Sequence, residues 1–80
     1  MPRYLVKPDV AFQFSLSPRE QQVLPLIAEG LSTQEIALFL TVSGETVRSH
    51  IAALVRKLSA SNRSQLPLRA IEFGVLVQEE

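Results

Sequence analysis

Residues 43–58 read SGETVRSHIAALVRKL, and the pattern of this stretch decides how the rest of the chain is interpreted. Ser43 is suited to begin a helix, because its hydroxyl can accept a hydrogen bond from a free backbone N–H group. The apolar residues that follow recur at helical spacings of three and four, so they are expected to form one buried stripe. They are Val47, Ile51, Leu54 and Leu58. The stretch is therefore predicted to be an amphipathic helix.

The opposite side of this helix carries mainly small and basic side chains. Its residues are Glu45, Arg48, Ser49, Ala52 and Arg56. An α-helix fits the major groove of B-form DNA, and Ser49 and Ala52 make this face slim enough to approach base edges. Arg48 can present its guanidinium to the two acceptors of a guanine. The pattern predicts a DNA-reading helix, and the alternative is a solvated face whose charges serve only solubility.

Two shorter helices are predicted before it. Ser17 begins the first, which Gly30 ends, and Ser32 begins the second, which runs to Leu40. Each serine is followed three residues later by a glutamate, the pattern of a capping box. Pro25 lies inside the first helix, where it removes one backbone hydrogen bond. Both helices carry apolar residues at helical spacing and are expected to pack against the third.

The fold class follows from the connections. Only Thr41 and Val42 separate the second helix from the third, and such a tight turn is typical of a helix-turn-helix unit. Ser64 is expected to cap a fourth helix over residues 65–77. The sequence thus predicts an all-α fold of four helices with no strand. Residues 16–80 are predicted to form this domain, and residues 1–15 an arm or linker with an extended conformation available to VAFQF.

The composition restricts the functional classes. The 80 residues suffice for one domain, and the chain has no cysteine, so disulfides and thiolate metal sites are excluded. No apolar run approaches the length of a signal peptide core or a membrane span, which predicts a cytoplasmic protein without membrane contact. No nucleophile, base and orienting residue fall into a catalytic arrangement. We therefore expect no enzyme activity, no metal and no cofactor.

The charges are unevenly distributed although the net charge is zero. Residues 46–71 hold five basic and no acidic side chains, a charge of +5, and the remainder carries −5. Attraction to phosphates is screened over about 10 Å at 0.1 M salt, so a local basic surface matters more than the total. Ser32 and Thr33 begin a helix whose free N–H groups suit a phosphate, and Arg56 and Lys57 also lie within reach of phosphates.

Several short motifs occur together in this sequence. They are LSPRE at 16–20, VL at 23–24, AEG at 28–30, EIA at 35–37, TVR at 46–48 with His50, RKL at 56–58 and NR at 62–63. In combination they resemble the LuxR/FixJ/GerE-type helix-turn-helix domain of bacterial transcription regulators, over residues 16–76. The resemblance implies a tetrahelical domain whose third helix enters the major groove of double-stranded DNA.

The resemblance also implies roles for individual residues. Base reading falls to Arg48, Ser49 and Ala52. Family members often carry a larger or charged residue at the position of Ala52, so alanine there implies fewer direct hydrogen bonds and a contact with a thymine methyl group instead. Four further residues are expected to contact the DNA backbone or support the third helix, namely Thr46, His50, Lys57 and Arg63. His50 is expected either to touch a phosphate or to be a buried, hydrogen-bonded brace.

The resemblance places a homodimer contact on the fourth helix, for which Leu66, Ala70 and Phe73 are the expected residues. Apolar residues surround most of that helix, so a protein–protein interaction module is the alternative function. Most family members carry a receiver or ligand-sensing domain on the N-terminal side of this domain. This chain is therefore expected to be either the output domain of a longer chain or a free-standing regulator. RNA polymerase is a further candidate partner. Phe39 departs from the family pattern and is expected to be a contact surface or a packing site for the N-terminal arm.

Overall fold

The structure is a computed structural model, and it describes residues 3–79. In chain order its elements are β1 (Arg3–Val6), α1 (Pro8–Gln13), α2 (Pro18–Ala28), α3 (Thr33–Leu40), α4 (Gly44–Lys57), α5 (Leu66–Glu72) and β2 (Leu76–Glu79). A short 3-10 turn, Arg63–Gln65, precedes α5. Helices α2 to α5 match the four predicted helices, so the predicted helix-turn-helix fold is confirmed.

Serine side chains begin the three central helices as predicted. Ser17 Oγ accepts from the Glu20 backbone N–H at 3.1 Å, and Glu20 Oε1 accepts from the Ser17 N–H at 2.9 Å. Ser32 and Glu35 form the same reciprocal pair. Ser43 caps α4 by accepting from the Thr46 N–H at 3.1 Å. These bonds satisfy N–H groups that have no acceptor within the helix, and α2 continues through Pro25 to Ala28.

The turn between α3 and α4 is as tight as the sequence indicates. Thr41 adopts the left-handed conformation at φ 59° and ψ 48°, and the Val42 N–H donates to the Ala37 carbonyl at 3.0 Å. A left-handed threonine costs of order 1 kcal/mol, because its Cβ crowds the backbone. The turn fixes the angle at which α4 leaves α3.

Helix α4 lies against both α2 and α3. Its predicted stripe is buried, with Val47, Leu54 and Leu58 fully covered and Ile51 nearly so. The same core cluster contains side chains of α2, α3 and α5, which include Val23, Leu24, Ile36 and Leu66. Burying a Leu, Ile or Val side chain contributes about 1.5–3 kcal/mol, so this stripe is a major source of stability.

The chain termini differ from the prediction, which allowed no strand. Strand β1 pairs antiparallel with β2, with Tyr4 opposite Gln78 and Val6 opposite Leu76. The fourth helix ends near Glu72 rather than continuing to residue 77, because Gly74 turns the chain at φ 77°. The prediction failed here because a strand becomes stable only with its partner, and this partner lies some 70 residues away.

Two local predictions are also corrected. The VAFQF stretch within residues 1–15 is largely helical and forms part of α1, where Pro8 takes the first helical position and Asp9 the second. Ser64 does not cap the fourth helix. Instead the Asn62 side chain accepts from the Gln65 N–H at 3.2 Å and begins the 3-10 turn that leads into α5.

The register of the terminal sheet can be tested by two neighbouring substitutions. Leu76 is almost wholly buried, whereas Val77 on the opposite face of β2 is exposed. We expect Leu76→Ala to lower the free energy of unfolding by about 2–5 kcal/mol, because it leaves a cavity. Val77→Ala should cost less than about 1 kcal/mol. Urea denaturation of both variants measures the difference, and the reverse order would contradict the register.

Candidate nucleic-acid interface

The outward face of α4 has the composition that the sequence indicates. Glu45, Arg48, Ser49, Ala52 and Arg56 are all exposed, on the side of α4 opposite the buried stripe. The structure therefore brings together the three predicted base-reading residues. Ser49 and Ala52 are small, so the middle of α4 can approach another surface closely.

The Arg48 side chain lies along the first turn of α4. A Cβ atom built on Gly44 would be 3.7 Å and 3.9 Å from the two terminal guanidinium nitrogens. Gly44 and Arg48 line a groove between α3 and α4 together with Gln34, Ala37 and Leu38. Among residues 3–79, no acidic side chain forms an ion pair with Arg48. Its donors are therefore available to a ligand at this end of α4.

The start of α3 is fastened to the segment before α5 by Arg63. One terminal nitrogen of its guanidinium donates to Thr33 Oγ1 at 2.6 Å, and the other donates to the Leu31 carbonyl at 2.6 Å. Because the Thr33 hydroxyl accepts this bond, its own hydrogen stays free to be donated to an anion. Arg63 thus holds the predicted phosphate-facing end of α3 in position. Here Arg63 supports α3 rather than the third predicted helix, and a contact of Arg63 with the DNA backbone stays a prediction.

Lys57 has a similar internal role at the C-terminal end of α4. Its ammonium donates to Glu20 Oε1 at 2.8 Å and to the Ser15 carbonyl at 2.8 Å. Burial would raise the pKa of the Glu20 carboxyl. However, the hydrogen bonds from Lys57 and from the Ser17 N–H, together with the positive charge of Lys57, hold this pKa below its ordinary value of 4.5. The pair joins the C-terminal end of α4 to the N-terminal end of α2.

The other residues predicted to contact the DNA backbone differ in their exposure and in their side-chain bonds within the protein. Arg56 is exposed and forms no ion pair among the described residues. Thr46 is exposed, and its hydroxyl oxygen accepts from Ser43 Oγ at 2.9 Å. His50 is half-buried and has no side-chain hydrogen bond within residues 3–79, so the buried-brace interpretation of His50 is wrong. A phosphate contact by His50 stays a prediction.

The predicted dimer residues are only partly at the surface. Leu66 and Ala70 are fully buried within the protomer, so the structure corrects their assignment to a dimer contact. The Phe73 ring packs on Phe14 with centroids 5.0 Å apart and remains partly exposed. The outward apolar residues of α5 are Leu68 and Ile71. Their spacing of three was visible in the sequence, but the apolar residues around this helix hid which side faces the core.

Two exposed apolar residues of α3 stand beside the groove at α4. Leu38 is 81% exposed and Phe39 is 69% exposed. The N-terminal segment forms β1 and α1 and leaves Phe39 uncovered, so the expectation that this arm packs on Phe39 is wrong. The alternative interpretation of Phe39 as a contact surface stays a prediction.

The described residues contain no helix long and apolar enough to cross a membrane.

Comparison with known proteins decides the family. The profile of the bacterial regulatory proteins of the luxR family matches residues 14–70. The chain belongs to this family. The spore germination protein GerE of Bacillus subtilis is 38% identical over 61 residues, which cover 76% of this chain and 82% of GerE. The solved structure of transcription factor GerE has a TM-score of 0.68 and 37% identity, and the match covers 74% of this chain and 88% of that one.

Other relatives are longer regulators. The transcriptional regulatory protein DesR of Bacillus subtilis is 41% identical over 59 residues, or 74% of this chain and 30% of DesR. YhcZ, an uncharacterized transcriptional regulatory protein of the same organism, is 37% identical over 85% of this chain and 32% of its own length. The chain thus spans about a third of the length of these relatives. The family and these relatives are bacterial transcription regulators, so the resemblance seen in the sequence is confirmed.

The Lys57–Glu20 pair generates a prediction about stability and pH. Lys57→Met leaves the buried Glu20 carboxylate without its cation and should lower the free energy of unfolding at pH 7 by about 1–3 kcal/mol. A carboxyl with a lowered pKa stabilises the fold above its unfolded pKa, and this contribution is lost as the pH falls through the folded pKa. The difference between wild type and Lys57→Met should therefore shrink at pH 3.

Urea denaturation at pH 7 and pH 3 measures this difference. Arg56→Met is the matched control, since the neighbouring arginine is exposed and unpaired among the described residues, and its loss should change stability by less than about 0.5 kcal/mol. Equal effects of the two substitutions at pH 7 would show that the internal pair contributes nothing.

Proposed function

We propose that this domain binds double-stranded DNA sequence-specifically in the bacterial cytoplasm and regulates transcription, with α4 inserted into the major groove. The observation that carries the proposal is the outward face of α4, where Arg48 stands unpaired beside the small residues Ser49 and Ala52. A guanidinium matches the two acceptors of guanine, and alanine suits a thymine methyl group. Membership of the luxR family supports this proposal.

Contacts to the DNA backbone set the position of α4 in the proposed complex. At the start of α3, the Ser32 and Thr33 hydroxyls and the Thr33 N–H suit one phosphate, whereas the Ser32 N–H is already bonded to Glu35. Thr46, His50 and Arg56 lie on α4, where phosphates on either side of the groove come within reach. Lys57 and Arg63 act mainly by holding α4 and α3 in place, because their side chains are already bonded inside the protein.

Dimerisation through α5 is part of the proposal. The outward residues Leu68 and Ile71 supply a self-complementary apolar patch, with Phe73 at its end. Two copies joined there would present two α4 helices to half-sites about 34–36 Å apart, or one turn of DNA. Because several relatives are longer regulators, an attached receiver or sensing domain and RNA polymerase are proposed as further partners.

A second function, as a protein-interaction module, is favoured by one observation. Leu38 and Phe39 form an exposed apolar pair on α3, away from the proposed dimer patch on α5. Monomeric proteins seldom leave large apolar side chains together at the surface without a partner. This interaction is compatible with DNA binding, and substitutions on α4 separate the two functions.

The base-reading role of Arg48 is tested by selecting random DNA duplexes at physiological salt with wild type and Arg48→Ala. We expect wild type to enrich a guanine-containing half-site and Arg48→Ala to bind that site about 5- to 150-fold more weakly, since a good bidentate contact contributes about 1–3 kcal/mol. Arg3→Ala on β1 removes the same charge and should retain the preference. Equal losses in both variants would indicate a purely electrostatic effect.

The dimer contact is tested by sedimentation velocity on Ile71→Glu. A charge in the centre of the proposed patch should shift the protein to monomer and lower its affinity for a two-half-site duplex at least tenfold. Leu38→Glu makes the same chemical change on α3 and should leave the oligomeric state unchanged. An Ile71→Glu variant that remains as dimeric as wild type would remove α5 from the interface.

A further inference from the structure

The first turn of α4 departs from the pattern that begins the two preceding helices. In α2 and α3 the third helical residue is a glutamate, Glu20 or Glu35, whose carboxylate accepts from the N–H of its capping serine. In α4 the third position belongs to Thr46, whose hydroxyl oxygen accepts from Ser43 Oγ. The glutamate of this helix, Glu45, stands one residue earlier. Its carboxylate therefore takes no part in the cap.

Glu45 is an acidic side chain on the face proposed to meet DNA. It is exposed, and within residues 3–79 its carboxylate forms neither an ion pair nor a side-chain hydrogen bond. Gly44 before it has no side chain, and the Arg48 guanidinium lies over Gly44. Nothing in this first turn covers the carboxylate. It projects among the same residues that are proposed to read bases.

We propose that Glu45 is a specificity-determining residue that selects a cytosine in the major groove, an inference that rests on the proposed function. A carboxylate only accepts hydrogen bonds. Guanine presents only acceptors in the major groove, and thymine presents an acceptor and a methyl group. Adenine presents its N6 donor beside the N7 acceptor, which repels a carboxylate. Cytosine presents the N4 donor alone and is the base that matches Glu45.

The electrostatics of DNA make this match necessary for tight binding. The duplex carries one negative charge per about 1.7 Å of its axis, so phosphates repel Glu45 on every sequence. A donor on the base edge offsets this repulsion only where a cytosine stands opposite the carboxylate. Glu45 thus selects in two ways, by bonding cytosine and by weakening binding to sites that lack it.

The position of the selected base follows from helix geometry. Glu45 precedes Arg48 by three residues, which is about 4.5 Å along the helix axis at 1.5 Å per residue. One base-pair step is about 3.4 Å. The cytosine is therefore expected within one or two base-pair steps of the guanine proposed for Arg48.

A glutamate in the first turn also interacts favourably with the helix dipole. That interaction stabilises the fold and has no effect on base preference, so an experiment can distinguish the two roles. Asp9 provides the control, because it occupies the second helical position of α1 as Glu45 does in α4. Asp9→Asn removes the same charge from the same helical position on an element outside the reading face.

The experiment selects random DNA duplexes with four proteins: wild type, Glu45→Ala, Glu45→Gln and Asp9→Asn. We expect wild type to prefer cytosine at one position and Glu45→Ala to lose about five- to tenfold of that preference while binding other sequences more tightly. Glu45→Gln should move the preference to adenine, because a glutamine amide matches N6 and N7 of adenine. Asp9→Asn should retain the wild-type preference.

Two outcomes overturn the inference, and they differ from each other. If Glu45→Ala binds all sequences more tightly by one factor and keeps the wild-type base preferences, Glu45 acts only through its charge and the proposed DNA function stands. If wild type enriches no sequence at all, the proposed function fails and the inference fails with it. Glu45→Gln keeps the side-chain size, and circular dichroism of each variant confirms that it is folded during the selection.

Discussion

Burial of one stripe of α4 is the constraint on which the rest of the molecule depends. Val47, Ile51, Leu54 and Leu58 are buried in one core together with apolar side chains of α2, α3 and α5. Because side chains on a helix have fixed angular positions, burying this stripe turns Arg48, Ser49 and Ala52 outward. The interaction that stabilises the domain therefore also selects the residues that can meet a ligand. A different packing of α4 would alter stability and the proposed reading face together.

The basic residues divide into two groups once their partners are known. Residues 46–71 carry five, but Lys57 is bonded to Glu20, Arg63 to α3 and Arg69 to Glu72. Arg48 and Arg56 remain as the cations of this segment whose side chains form neither an ion pair nor a hydrogen bond among residues 3–79. Few phosphate-neutralising groups imply weak non-specific binding and a shallow dependence of affinity on salt. Discrimination between DNA sequences must then come mostly from base contacts. Because so few positive charges face the DNA, the single negative charge of Glu45 has a large effect on the binding free energy.

The sequence could predict what depends on neighbouring residues, and it failed where distant residues decide. The caps at Ser17 and Ser32 follow from a glutamate three residues later, the cap at Ser43 from a serine ahead of the apolar stripe, and the stripe of α4 from helical periodicity, so these features were correctly placed. Strand β2 depends on β1 at the other end of the chain, and no local pattern contains that information. The sequence also did not reveal which face of α5 is turned toward the core, since Leu66 and Leu68 are chemically identical and only the assembled core distinguishes them. Side-chain bonds such as those of Arg63 are fixed only by that assembly.

Departures from a sequence's own regularities carry information about function. Where α2 and α3 use a glutamate to complete a cap, α4 uses Thr46 and leaves Glu45 exposed beside Arg48. Outside the cap, the Glu45 carboxylate contributes to folding only through the helix dipole, and near DNA it is repelled by phosphates. Residues that agree with the fold at every level need no functional explanation, whereas an exception on a proposed binding face does. The same reasoning applies to Leu38 and Phe39, whose exposure contributes nothing to the core and is best explained by contact with another molecule.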